Sequence, residues 1–100
     1  MPRAMPRAPS GERRGAIVSP TGNRREFTIV REASVKDGRY KELVLQRLHF
    51  DDGAVQLRFG YYVISKKKGF EGKRIWGRSA LMLDQSQLDE LLLQAADWAK

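Results

Sequence analysis

The chain has 100 residues, a hydrophobic share of 41% and no cysteine. That permits one domain with a core and excludes a disulfide framework, a thiolate nucleophile and cysteine-ligated zinc. No apolar run reaches the roughly 18–20 residues of a membrane span, and residues 1–15 hold no apolar signal region, so a cytoplasmic protein is expected, nucleoid-associated if bacterial. The net charge is +7 and the isoelectric point is near 10.1, which points to polyanionic partners.

The charge is unevenly placed. Residues 1–25 hold six arginines against Glu12, the stretch from Arg58 to Arg78 holds seven Lys or Arg against Glu71, and Asp84 to Trp98 holds four acidic residues and no base. In chain order, residues 1–25 begin with a doubled Met-Pro-Arg-Ala. Three prolines among the first nine residues and this composition predict a disordered Arg/Pro-rich arm, with the folded domain at 26–100. Phe27, Ile29 and Val30 lie in a β-branched run that ends at Lys36-Asp37-Gly38, a turn signal. A second strand is predicted over Tyr40–Phe50. Asp51-Asp52-Gly53 follows, and Asp-Gly between apolar runs predicts a hairpin. In the third strand, Ala54–Ser65, Val55, Leu57, Phe59, Tyr61 and Val63 share one face. Gln56, Arg58, Gly60, Tyr62 and Ile64 share the other.

A basic turn, Lys66 to Gly72, leads to a fourth strand predicted over Lys73–Leu83. Asp84 is a natural N-cap, and Gln87 three residues later completes a capping box. Leu88, Leu91, Leu92, Ala95 and Ala99 then recur at helical spacing. Leu93 and Trp98 lie beside that stripe and are candidates for a dimer interface, since a domain of this size has a core of marginal stability. The order ββββα, with no helix between strands, predicts an antiparallel α+β domain.

The fourth strand carries the chemistry. Arg74, Trp76 and Arg78 recur at every second residue and project from one face, while Arg58 and Tyr62 share a face of the third strand. If the two strands are neighbours, cations and rings make one platform, with Lys66, Lys67, Lys68 and Lys73 beside it. Single-stranded nucleic acid requires that combination, because cations neutralise phosphates and flat rings stack on splayed bases. A duplex groove favours a helix or ribbon, and the one clear helix here is acidic. Lone features read otherwise: a strand tryptophan is commonly packing, and a lysine turn commonly protects a sheet edge. His49 is expected to be structural, and Asp51-Asp52 is accounted for by its turn. Gly69-Phe70-Glu71-Gly72-Lys73 lacks the spacing of a phosphate loop. No metal-ligand cluster or nucleophile–base pair is readable, so neither an enzyme, a cofactor nor a small-molecule substrate is expected.

The carboxyl half resembles the single-stranded-DNA-binding domain of the transcriptional coactivator positive cofactor four and its bacterial relatives. The likeness runs from Gln56-Leu57-Arg58 and Tyr61-Tyr62, through Lys73 and Trp76-Gly77-Arg78-Ser79, to Leu81-Met82-Leu83-Asp84 and Gln85-Ser86-Gln87-Leu88-Asp89-Glu90-Leu91. The resemblance implies a curved four-stranded antiparallel sheet, a C-terminal helix and a homodimer that holds single strands. It places backbone and stacking contacts at Arg58, Tyr62, Lys73, Arg74, Trp76 and Arg78, with the lysines at 66–68 in a ridge turn. The expected function is single-stranded DNA or RNA binding, coactivator-like. The alternative is a protein-interaction module that docks an acidic partner through the basic sheet or the helix.

Overall fold

The computed structural model describes residues 13–98. Its elements are β1 (Arg13–Val18), β2 (Arg24–Lys36), β3 (Lys41–Phe50), β4 (Val55–Ile64), β5 (Arg74–Trp76) and α1 (Gln85–Gln94). The strands form one antiparallel sheet in the order β1-β2-β3-β4-β5. The α+β class and the C-terminal helix agree with expectation, but the sheet has five strands, not four. The chain divides into two compact units, residues 13–32 with 46–58 and residues 33–45 with 59–98.

In the first unit, Phe27, Ile29, Leu48 and Phe50 make the core, and the two phenylalanine rings meet edge to face at 5.4 Å. The extra strand, β1, falls within the stretch expected to be an arm. It pairs with β2 from Arg13↔Ile29 to Val18↔Arg24, after a turn in which Gly22 takes a φ of +91°. Gly15 makes the pairing possible, since a Cβ there would lie 2.6 Å from the Phe27 ring. Arg14 then holds the strand through two bonds to the Asp51 carboxylate, at 2.9 and 2.8 Å. The doubled tetrapeptide lies outside the described residues.

The predicted turn at Asp51-Asp52-Gly53 is present: the Gly53 N–H donates to the Phe50 carbonyl, and Gly53 has a φ of +95°. On β4 the alternation holds but burial does not follow it. Val55, Leu57 and Phe59, on the apolar parity, are exposed, Leu57 by 61%.

The second unit has its own core of Ala33, Leu43, Leu45, Tyr61, Leu91 and Trp98, with Leu81, Leu83 and Ala95 packed against it. The fourth predicted strand is cut from Lys73–Leu83 to Arg74–Trp76: past one further rung, in which the Gly77 N–H donates to the Tyr61 carbonyl at 2.8 Å, the backbone bonds a side chain in place of the neighbouring strand. A Cβ at Gly77 would lie 1.9 Å from the Tyr61 ring, and the Ser79 N–H donates to the Tyr61 hydroxyl at 2.9 Å. The chain therefore leaves the sheet over Tyr61 and carries Leu81 and Leu83 into the core.

The α1 capping box forms as expected. Asp84 accepts from the Gln87 N–H, and Gln87 Oε1 accepts from the Asp84 N–H, both at 2.8 Å. Two glutamines tie the helix to β2 and its following turn: the Gln94 amide bonds both the N–H and the carbonyl of Ser34, and Gln87 donates to Asp37. The helix stops at Gln94. Leu91 is wholly buried, but Leu92 on the predicted stripe is exposed, and Ala99 lies outside the described residues.

Because Leu91 has no access to solvent, Leu91→Ala is expected to cost about 2–5 kcal/mol. Met82→Ala, on an exposed side chain, should stay within about 0.5 kcal/mol. Urea unfolding midpoints at unchanged slope check both.

Candidate nucleic-acid interface

The candidate surface lies on the β4–β5 hairpin of the second unit. β5 pairs with β4 as Tyr62↔Trp76, Val63↔Ile75 and Ile64↔Arg74. Neighbouring residues of a strand point to opposite faces. Tyr61 turns into the core beside α1, so Tyr62 turns the other way and meets Trp76 edge to face, centroids 5.1 Å apart. Gly60 supplies the bed for the indole, since a Cβ there would lie 2.1 Å from Trp76 Cη2. Arg74 covers Tyr62 with its guanidinium 4.1 Å from the ring centroid and pairs with Glu42 at 2.6 Å. Trp76 and Tyr62 are half-buried.

The turn between these strands is built, not frayed. The Ser65 N–H donates to the Lys73 carbonyl and the Gly72 N–H to the Ser65 carbonyl. Phe70 and Lys73 close the inner turns onto Lys67 and Phe70. Gly69 and Gly72 take φ values of +88° and +83°, a region that side chains with a Cβ avoid. Lys66, Lys67, Lys68 and Lys73 are exposed around it. Lys66 lies over Tyr40 at 4.7 Å. Arg78, just past β5, is also exposed.

Of the residues expected to form one platform, Tyr62, Lys66, Lys67, Lys68, Lys73, Arg74, Trp76 and Arg78 belong to the second unit. Arg58 belongs to the first. There its guanidinium donates twice to Gln46 Oε1, at 3.0 and 2.7 Å, and lies over the Phe27 ring. Gln46 is fully buried and donates to Glu32, which also pairs with Arg13. Arg58 is thus engaged in holding a buried polar network, which low local polarity makes costly to break.

The two interface candidates also separate. Leu93 is 71% exposed, whereas Trp98 is 8% exposed and packs in the core of its own unit. Trp98 is therefore corrected from an interface residue to a core residue: the helix ends before it, and the following turn brings its ring inward.

Three participants escaped sequence reading: Gly60, Glu42 and Phe70. An isolated glycine within a strand does signal close approach by another group, so Gly60 was findable. Glu42 needed knowledge of the pairing.

His49 is exposed on β3. The Asp51 and Asp52 carboxylates face a concavity of about 250 Å³ lined with Arg24, Arg25 and Glu26, and both are used structurally. Hydrogen bonds from Arg14 hold Asp51 below the ordinary carboxyl value. Asp52 is lowered chiefly by the Ala54 N–H and then by Arg25. The Gln87 N–H lowers Asp84 at the helix cap.

Comparison with protein-family models, curated proteins and solved structures finds no match. Among the described residues no helix is long and apolar enough to cross a membrane.

All three carboxyls lie below 3.8 when folded, so the stability they lend is present above that value and lost as pH falls through the folded values. The urea midpoint should be level near neutrality and decline below about pH 4, and Asp51→Asn should flatten part of that decline.

Proposed function

We propose that this protein binds single-stranded nucleic acid through the β4–β5 hairpin, as a coactivator-like or strand-protecting factor. The observation that carries this reading is the concentration on one hairpin of the Trp76–Tyr62 pair, with Arg74 over Tyr62, and of Lys66, Lys67, Lys68 and Lys73 on the turn that joins its strands. Arg78 lies just beyond. Cations draw the phosphate backbone without reading sequence, and rings add stacking that every base can satisfy.

Native protein should bind a labelled single-stranded oligonucleotide more tightly than its duplex. Affinity should fall by about 0.7 log units per log unit of salt for each phosphate neutralised. Trp76→Ala should weaken binding with the fold retained, as followed by anisotropy and circular dichroism. Equal, weak binding to both forms would overturn the reading. Binding untouched by Trp76→Ala would favour the interaction-module alternative, for which the exposed Val63 and Ile75, opposite each other on β4 and β5, offer an apolar contact.

A homodimer is proposed alongside, with the exposed Leu93 at its interface. Light scattering should then give twice the chain mass of 11.4 kDa, reduced to the monomer by Leu93→Asp. A native mass equal to one chain would refute the dimer.

A further inference from the structure

We propose that Phe70, at the tip of the β4–β5 turn, is a base-stacking residue, receiving an unpaired nucleobase on its ring while Lys67 and Lys73 take the flanking phosphates. This rests on the function proposed above and names a further residue through which that surface would hold a base.

Several observations converge on it. The Phe70 ring is 49% exposed, although the turn that carries it is closed by four backbone hydrogen bonds and two glycines at positive φ. The ring is thus held outward by a formed structure. A phenylalanine ring gains free energy by leaving water, so a turn that merely reverses the chain has no use for one at its tip.

The ammonium groups of Lys67 and Lys73 stand 5.9 and 5.7 Å from the ring centroid. Both lie over the ring but farther out than the 4.1 Å at which Arg74 covers Tyr62, so these flexible side chains can part to admit a base and meet the phosphates beside it. The nearest acid in sequence, Glu71, directs its carboxylate to the Gly69 N–H at 3.0 Å, where it serves the turn. Tyr62 and Trp76 are by contrast half-buried against each other, with Arg74 over one and Gly60 beneath the other. Of the exposed rings of this hairpin, Phe59 at 43% lies along β4, whereas Phe70 at 49% is carried by the basic turn itself, beside two flexible lysines that can move aside for a flat partner.

The test uses the full chain and a labelled single-stranded oligonucleotide, with anisotropy read across a range of salt. Phe70→Ala should weaken binding about 5- to 150-fold and leave the salt slope unchanged. Lys67→Ala and Lys73→Ala should each reduce that slope by about 0.7. Phe70→Tyr should restore affinity and Phe70→Leu should not, because leucine matches the bulk without a π-face. Unchanged affinity in Phe70→Ala, with the native chain still binding, would overturn the role of Phe70 and leave the proposed function standing. Failure of the native chain to bind would overturn both. Rescue by Phe70→Leu would mean that the ring acts as an apolar plug. If Phe70→Ala bound the oligonucleotide normally yet lost adsorption to phosphatidylserine vesicles, the tip would be a lipid anchor and the proposal would fall.

Discussion

The Tyr61 ring fills the space that a Cβ at residue 77 would need, accepts the Ser79 N–H on its hydroxyl and lies 4.8 Å below the Lys41 ammonium. Much of the second unit depends on this one side chain. Beyond the three residues of β5 its hydroxyl takes the Ser79 N–H in place of a strand partner, and the segment that follows carries Leu81 and Leu83 into the core. The ring also gives Leu91 and Trp98 something to pack on. Strand alternation does the rest: with Tyr61 committed inward, Tyr62 has to face away, and the cross-strand contact to Trp76 follows.

The first unit is organised by charge as much as by its small apolar cluster. Arg14 with Asp51, Arg25 with Asp52 and Arg13 with Glu32 each join residues far apart in sequence. Exposed pairs of this kind contribute little singly, but they fix where β1 and the β3–β4 turn lie. The buried amide of Gln46 is satisfied on both sides, by Glu32 and Arg58, and so specifies geometry without leaving an orphaned polar group. The arginines of this unit are therefore largely occupied, which shifts attention to the cations of the hairpin.

Features encoded locally could be read in the sequence. The capping box needs only Asp84 and Gln87, the hairpin needs only Asp52-Gly53, and the opposite facing of Tyr61 and Tyr62 needs only adjacency in a strand. Features set by distant partners could not. β1 looked like an arm because its arginines lacked visible partners; Glu32 and Asp51 supply them across 19 and 37 residues. The path beyond β5 depends on a hydroxyl 18 residues before Ser79. The β4 pattern misled because apolar alternation predicts which side chains share a face and not whether anything covers it. Trp98 was misplaced because a residue beyond the helix end no longer follows the helical stripe. For the candidate site, Trp76, Arg74 and the lysines were legible by spacing, while the place of Arg58 in a separate polar network was not.

Glycine and ring are exchanged between the two strands of the hairpin: β4 offers Gly60 to Trp76, and the end of β5 offers Gly77 to Tyr61. A sheet normally fixes its alignment through long ladders or a one-sided apolar face, and β5, at three residues, has too few rungs for that. Here a slip of one residue in either direction would bring each ring against a position that carries a Cβ, so both ring contacts would fail together. The alignment of this short strand is therefore keyed by two interlocking aromatic contacts, and a hairpin with a long basic turn keeps a single pairing despite its few hydrogen bonds.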